Sequence, residues 1–296
     1  MMDFDDARQV YFRSRFDDAP LMKKVLAVMP GGQKFLEHLL WTNAALDADG
    51  SLAAFYAPLP EKGKFNVTGF LPLSGAPAVE KVGNFCRLPV TCHRILALDP
   101  FRGEEDFFRA LSPKNRKKIR WLRNALPEAG CRIVPMTDDR DFPLFEALYA
   151  AQFPKYPVGC PANQALRLMY RELFRLNRAG CFMLLSDAGE VLAAALGFFG
   201  GGGYFFTHLT RSRSAYDKFS PGYFLAYRLI VSIITGHPET RFFYMGPGDY
   251  DYKRAFLGES FPVYRYERRS WRNLPGLIRL HFRCRKERKR YRGDHP

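Results

Sequence analysis

The stretch KFSPGYFLAYRL (218–229) sets a small polar turn, Ser220-Pro221-Gly222, against a run that is apolar on nearly every helical side. A helix of that kind belongs in a core, so its first turn is held in place by what surrounds it. Helix starts carry unsatisfied N–H groups and about half a positive charge, which suits an anion such as a phosphate. Pro221 sacrifices no hydrogen bond there, Gly222 allows close approach to the backbone, and Ser220 can cap the helix or donate. The same residues also make an ordinary helix start. Downstream, Asp249 and Lys253 stand four apart and can share one helical face as an ion pair. Asp249 is also a carboxylate able to accept a proton. His208, within YFFTHLT (204–210), titrates near neutrality, as a general base must. Strand alternation predicts that it shares a face with Phe206 and Thr210, where plain packing is the rival role.

Other chemistries lack their patterns. The 296 residues hold no Walker A sequence, no HExxH, no GxSxG and no dinucleotide fingerprint. The six cysteines, Cys86, Cys92, Cys131, Cys160, Cys181 and Cys284, form no CxxC pair. Neither a disulfide framework nor a bound metal is therefore expected, and Cys92-His93 with Cys86 lacks a fourth ligand. Tyrosine and phenylalanine fall in strand-like and core-like positions rather than on a regular platform for stacking bases.

The net charge of +15 is concentrated. Residues 113–126 (PKNRKKIRWLRNAL) hold six Lys/Arg and no acid, and residues 276–296 hold eight against Glu287 and Asp294. These two segments carry most of the excess, which suggests an anionic partner: a nucleotide-containing donor, tRNA, or an anionic membrane surface. Two solvated helix faces would look the same. The tail mixes Leu277, Ile278, Leu280 and Phe282 with its arginines, as an interfacial helix does. No apolar run reaches the roughly 18 residues of a membrane span. The N-terminus MMDFDDARQV lacks a signal-peptide pattern. A soluble chain in the cytoplasm, or peripheral at the inner face of a membrane, is expected.

Several elements must position these residues. FLEHLLWTNAAL (35–46) reads as a helix, 51–59 and 65–73 read as strands, and VTCHRILAL (90–98) leads into Asp99-Pro100. Ser112-Pro113 opens a helix whose Ile119, Leu122 and Leu126 form a packing stripe, with Arg116, Arg120 and Arg123 on another side. Pro127 and Gly130 should end it. From Cys131 the pattern predicts a strand, helices over 141–153 and 163–176, and a hairpin of 181–187 with 190–199. A strand at 204–210, the Ser-Pro-Gly helix, a strand at 241–246, a short helix at 250–256 and a strand at 261–270 complete it.

That order, with three segments in register, resembles the GNAT acyltransferase superfamily and within it the CelD-like branch related to the FemABX peptidyltransferases. The segments are LSPKNRKKIRWLRNAL (111–126), FSPGYFLAYRLI (219–230) and GPGDYDYKRAF (246–256). Gly246, Gly248, Asp249, Tyr252 and Lys253 match the family pattern, whereas Tyr244 stands where members usually carry an aspartate.

The resemblance implies an α+β fold, a mixed and mostly antiparallel sheet flanked by helices. It also implies a tandem arrangement: a degenerate GNAT-like half over 1–105, an acyltransferase domain over 106–270 and a basic tail over 271–296. It further implies acetyl-CoA or another acyl-CoA as donor, or an acyl-carrier protein. The acceptor would be an amine or hydroxyl of a sugar or cell-envelope precursor. Ser220, Pro221, Gly222 and Tyr223 would hold the donor pyrophosphate. The strands at 204–210 and 241–246 would splay to offer a backbone N–H to the thioester. Tyr252 would protonate the departing thiolate, with Asp249 and Lys253 orienting it or the acceptor. A FemABX-like transferase using aminoacyl-tRNA and an inactive GNAT-like binding module are the alternatives.

Overall fold

The computed structural model describes residues 64–68, 80–82, 85–200, 203–247 and 250–268, with five further positions between 274 and 282. The helix expected at 35–46, the strand at 51–59, Gly248, Asp249 and the basic end of the tail lie outside the described residues. In chain order the strands are β1 (Lys64–Thr68), β2 (Glu80–Val82), β3 (Phe85–Ala97), β4 (Arg132–Met136), β5 (Cys181–Leu185), β6 (Val191–Gly200), β7 (Gly203–Arg211), β8 (Phe242–Pro247) and β9 (Glu259–Arg268). The helices are α1 (Glu104–Ala110), α2 (Pro113–Glu128), α3 (Phe142–Gln152), α4 (Pro161–Arg175), α5 (Pro221–Gly236) and α6 (Asp251–Ala255).

Two compact units share the chain. In the smaller, β1 pairs antiparallel with β9 and β2 pairs antiparallel with the start of β3. The larger unit contains most of 95–258 and is the mixed, mostly antiparallel sheet with flanking helices that the resemblance implied. Its strands run β4-β5-β6-β7-β8, antiparallel until β7 meets β8 in parallel.

Sequence accounts for the helices that matter. Ser112 caps α2 through its Oγ, which accepts from the Asn115 N–H at 3.4 Å, with Pro113 in the first turn. Ile119, Leu122 and Leu126 are at most 1% exposed, so the predicted stripe is the packed face. Burying each such side chain is worth roughly 1.5–3 kcal/mol. The helix runs through Pro127 and stops at Gly130, whose φ of 70° breaks the helical path. α1 follows Gly103 with three acids in its first turn, Glu104, Glu105 and Asp106, where the helix dipole favours them. α5 is buried along eleven of its sixteen residues, as its all-round apolar sequence requires.

The two faces of the sheet carry different helices. Tyr204 and Phe206 join the core packed beneath α5 and α2. On the α3–α4 side, Thr207 Oγ1 lies 2.6 Å from the Tyr170 hydroxyl, and Thr210 Oγ1 donates to Gln152 Oε1 at 2.7 Å.

Candidate functional site

The Ser-Pro-Gly start stands at a junction between two helical segments. A short 3₁₀ turn (Ala215–Phe219) ends at Ser220, and α5 begins at Pro221. Ser220 is left-handed, with φ 47° and ψ 59°, a conformation that costs a non-glycine residue about 1–2 kcal/mol. In that conformation its side chain makes no capping hydrogen bond. The Ser220 N–H donates to Asp217 O at 2.9 Å, and the Tyr223 N–H donates to Ser220 O at 3.0 Å. The expected set of open donors thus narrows to the Gly222 N–H. Pro221 and Gly222 are buried, while Ser220 and Tyr223 are half-buried.

Gly222 is not required by the chain's own geometry. A Cβ added there would sit 3.7 Å from Leu209, ordinary contact, and its φ is not positive. The strain falls on Ser220 instead, while a glycine is kept where alanine would fit. Tyr223, next along, buries its hydroxyl without a hydrogen-bond partner among the described residues. Burial pushes that phenol up to about 12. Its ring stacks on Phe256 at 4.7 Å, and Lys118 Nζ lies 4.3 Å from the ring centroid. Lys118 is lowered by burial and, secondarily, by the neighbouring Lys114 charge. An orphaned buried hydroxyl, an open N–H, a dispensable glycine and crowded lysines form a set that fits an anionic donor group.

α6 closes on the same region. Asn115 of α2 donates through Nδ2 to Ala255 O at 3.1 Å, tying the two helices together. Lys253 is only 2% exposed and donates to Gly246 O at 3.0 Å, where the chain turns with φ 71°. Its charge therefore lies at the end of β8. Tyr252 is half-buried, packs against the α5 core and stacks near Tyr250 at 6.2 Å. Burial, with a smaller effect of Tyr250, holds its hydroxyl well above the usual phenol range.

β7 and β8 pair over only three positions, Gly203 with Phe242, Tyr204 with Phe243 and Phe205 with Tyr244. Beyond Phe205 the parallel ladder stops, although β7 continues to Arg211. Tyr244, in the place of the family aspartate, is buried and stacks flat on Phe205 at 4.6 Å. An aromatic pair occupies that position.

His208 requires a correction to the predicted register. It shares the α3 side with Thr210 but not with Phe206, which faces α5. The pairing of β6 with β7 jumps from Leu196–His208 to Gly197–Phe206, so Thr207 is an extra, bulged residue. Adjacent residues Thr207 and His208 then both meet the α3–α4 side, which strict alternation forbids. His208 sits at the edges of Phe145 and Tyr149, 5.9 and 5.4 Å between ring centroids. The structure thus gathers Ser220, Pro221, Gly222, Tyr223, Tyr252 and Lys253 around the α5 start, with His208 on the other sheet face.

Sequence reasoning missed a polar cluster beside this region. Glu104 Oε1 accepts from Arg123 Nη2 at 2.6 Å, from the Tyr227 hydroxyl at 3.0 Å and from Arg228 Nη1 at 3.3 Å. Arg116 Nη1 is likewise engaged, donating to Arg109 O at 2.8 Å and Leu111 O at 2.7 Å. Two of the three arginines predicted on the basic side of α2 are therefore structural, leaving Arg120 exposed with Lys114 and Lys117. The acidic triplet Glu104-Glu105-Asp106 was the available signal.

Residues 113–254 match the family model described as an acetyltransferase (GNAT) domain. No curated protein matches the chain. Among solved structures, FemX is similar at 12% identity and a TM-score of 0.47, over 59% of this chain and 61% of that one. L-PGS from Bacillus licheniformis is similar at 13% identity and a TM-score of 0.45, over 68% and 67%. A tandem GNAT protein from the clavulanic acid biosynthesis pathway is similar at 14% identity and a TM-score of 0.41, over 69% and 64%. This chain spans about three fifths of the FemX chain. Among the described residues, no helix is long and apolar enough to cross a membrane.

Proposed function

We propose that the larger unit is an acyltransferase that takes its acyl group from a thioester donor with a phosphorylated carrier arm, acyl-CoA foremost. The observation that carries this is the α5 start, where the Gly222 N–H and the Tyr223 hydroxyl have no hydrogen-bond partner among the described residues. The match of residues 113–254 to a GNAT domain supports the same reading. The acceptor is an amine or hydroxyl, and a sugar or cell-envelope precursor is the class proposed from the resemblance.

In this reading each group has a physical task. The Gly222 N–H and the dipole of the sixteen-residue α5 hold the donor phosphates, with Lys118 adding positive charge nearby. Backbone N–H groups of β7 beyond Phe205, released from the ladder with β8, are available to the thioester carbonyl. The acceptor's nucleophilic atom attacks that carbonyl, the C–S bond breaks, and the Tyr252 hydroxyl gives its proton to the departing sulfur. Lys253 fixes the turn at Gly246 from which Tyr252 is presented. His208 or Asp249 is the proposed base that accepts the acceptor's proton. Whether the donor is acyl-CoA, acyl-carrier protein or aminoacyl-tRNA is decided by direct titration with each. Saturable, one-site binding of acetyl-CoA supports the proposal; binding of aminoacyl-tRNA alone selects the FemABX-like alternative, and binding of none of them selects an inactive module.

A further inference from the structure

The larger unit holds a cavity along α5 whose groups the transferase reading does not use. A cavity of about 490 Å³ lies between α2 and α5 over β4 and β5. That size lies within the range of small-molecule sites. Its body is apolar, formed by Leu126, Phe182, Phe224 and Leu229, and two guanidiniums, Arg123 and Arg228, complete it.

The polar groups of the lining can be accounted for one by one. The Ser232 hydroxyl donates to Leu229 O at 2.8 Å. The Cys131 thiol lies 3.8 Å from Ala129 O and is pushed up by burial and by Asp187, so it stays neutral. Arg123 Nη2 and Arg228 Nη1 share one carboxylate, Glu104. Glu105 approaches Arg123 Nη1 only to 3.7 Å from a side chain that is 65% exposed. Arg123 Nε is buried and has no hydrogen-bond partner among the described residues. The lining thus offers two cations against one close carboxylate, and a hydrocarbon floor.

We infer that this cavity binds a single-chain amphipathic anion, a carboxylate head meeting Arg123 and Arg228 with an alkyl body on Leu126, Phe182, Phe224 and Leu229. The paired guanidiniums select for negative charge, and the floor selects for a chain. The site does not depend on the transferase reading, since none of its groups is assigned to the reaction.

The test is calorimetric titration of the full chain with decanoate below its micelle concentration, beside decanol and acetate. One saturable site for decanoate is expected, with decanol and acetate each weaker by at least about tenfold. Ser232→Phe, which fills the cavity from α5, should weaken decanoate by at least about tenfold while acetyl-CoA titration is unchanged. Should Ser232→Phe not fold, Arg228→Gln on the exposed side supplies the check, with decanoate weakened and decanol unaffected. Absence of saturable decanoate binding, equal binding of decanol, or undiminished binding by the variants that fold overturns the assignment.

Discussion

Two helices in this chain begin with the same dipeptide, and the two starts are built in opposite ways. Ser112 is extended, with φ −58° and ψ 153°, and its hydroxyl accepts from the Asn115 N–H. Ser220 is left-handed and caps nothing. Each start leaves the N–H after its proline without an acceptor among the described residues, Lys114 at the first and Gly222 at the second. Lys114 is exposed, whereas Gly222 is buried beside a strained serine and is followed by a hydroxyl with no partner among the described residues. Strain held in place by a fully packed helix is a reason to look for function, and unmet donors at the same point give it a direction. The exposed helix start meets water and needs no ligand. The uncapped one is where a ligand would be favourable.

The largest effect tests the group presented beside the second start. Tyr252→Phe should lower turnover by about 10²–10⁴-fold and leave donor affinity near its original value. A fully active variant would remove tyrosine from the proton-donor role. Next, Gly222→Val should weaken donor binding by at least about tenfold, while Gly222→Ala, whose methyl meets Leu209 at ordinary contact, should fold with unchanged thermal stability. If both variants bind the donor normally, the second start is no more functional than the first.

Stability separates the two serines further. Ser112→Ala should cost about 1 kcal/mol in denaturant unfolding without touching donor affinity. Ser220→Ala should cost almost nothing, because there is no capping bond to lose. Equal losses at the two positions would contradict the contrast. The smallest effect is in pH. Tyr223 has its folded value raised to about 12 from an ordinary 10.0, so its contribution is complete below the unfolded value. Above about 10 the unfolded chain releases the proton that the folded chain keeps, and stability falls until both have lost it. Tyr223→Phe should flatten the alkaline decline; an unaltered slope would place the titration elsewhere.

Local pattern made some of this legible and concealed the rest. The Ile119, Leu122 and Leu126 stripe, the apolar body of α5 and the strands flanking it follow from periodicity, since each is decided by residues within one element. The bulge at Thr207 is not local: it appears only when β7 is laid against β6, and it turned Phe206 away from His208. Nor is the left-handed Ser220, set by the meeting of a 3₁₀ turn with a buried helix. The basic side of α2 read as uniform charge because Arg123 finds Glu104 from another helix and Arg116 reaches back to carbonyls of the preceding residues. Spacing lets Lys253 share a helical face with Asp249 but gives no sign that Lys253 is buried with its ammonium on the Gly246 carbonyl; Asp249 lies outside the described residues.

The most direct test of the central claim is calorimetric titration of acetyl-CoA into the unaltered chain and into Gly222→Val. Saturable, one-site binding that the substitution weakens by at least about tenfold is the predicted result. Binding of equal strength in both proteins, or no binding to the unaltered chain, would contradict the placement of an acyl-CoA donor at the Ser-Pro-Gly start.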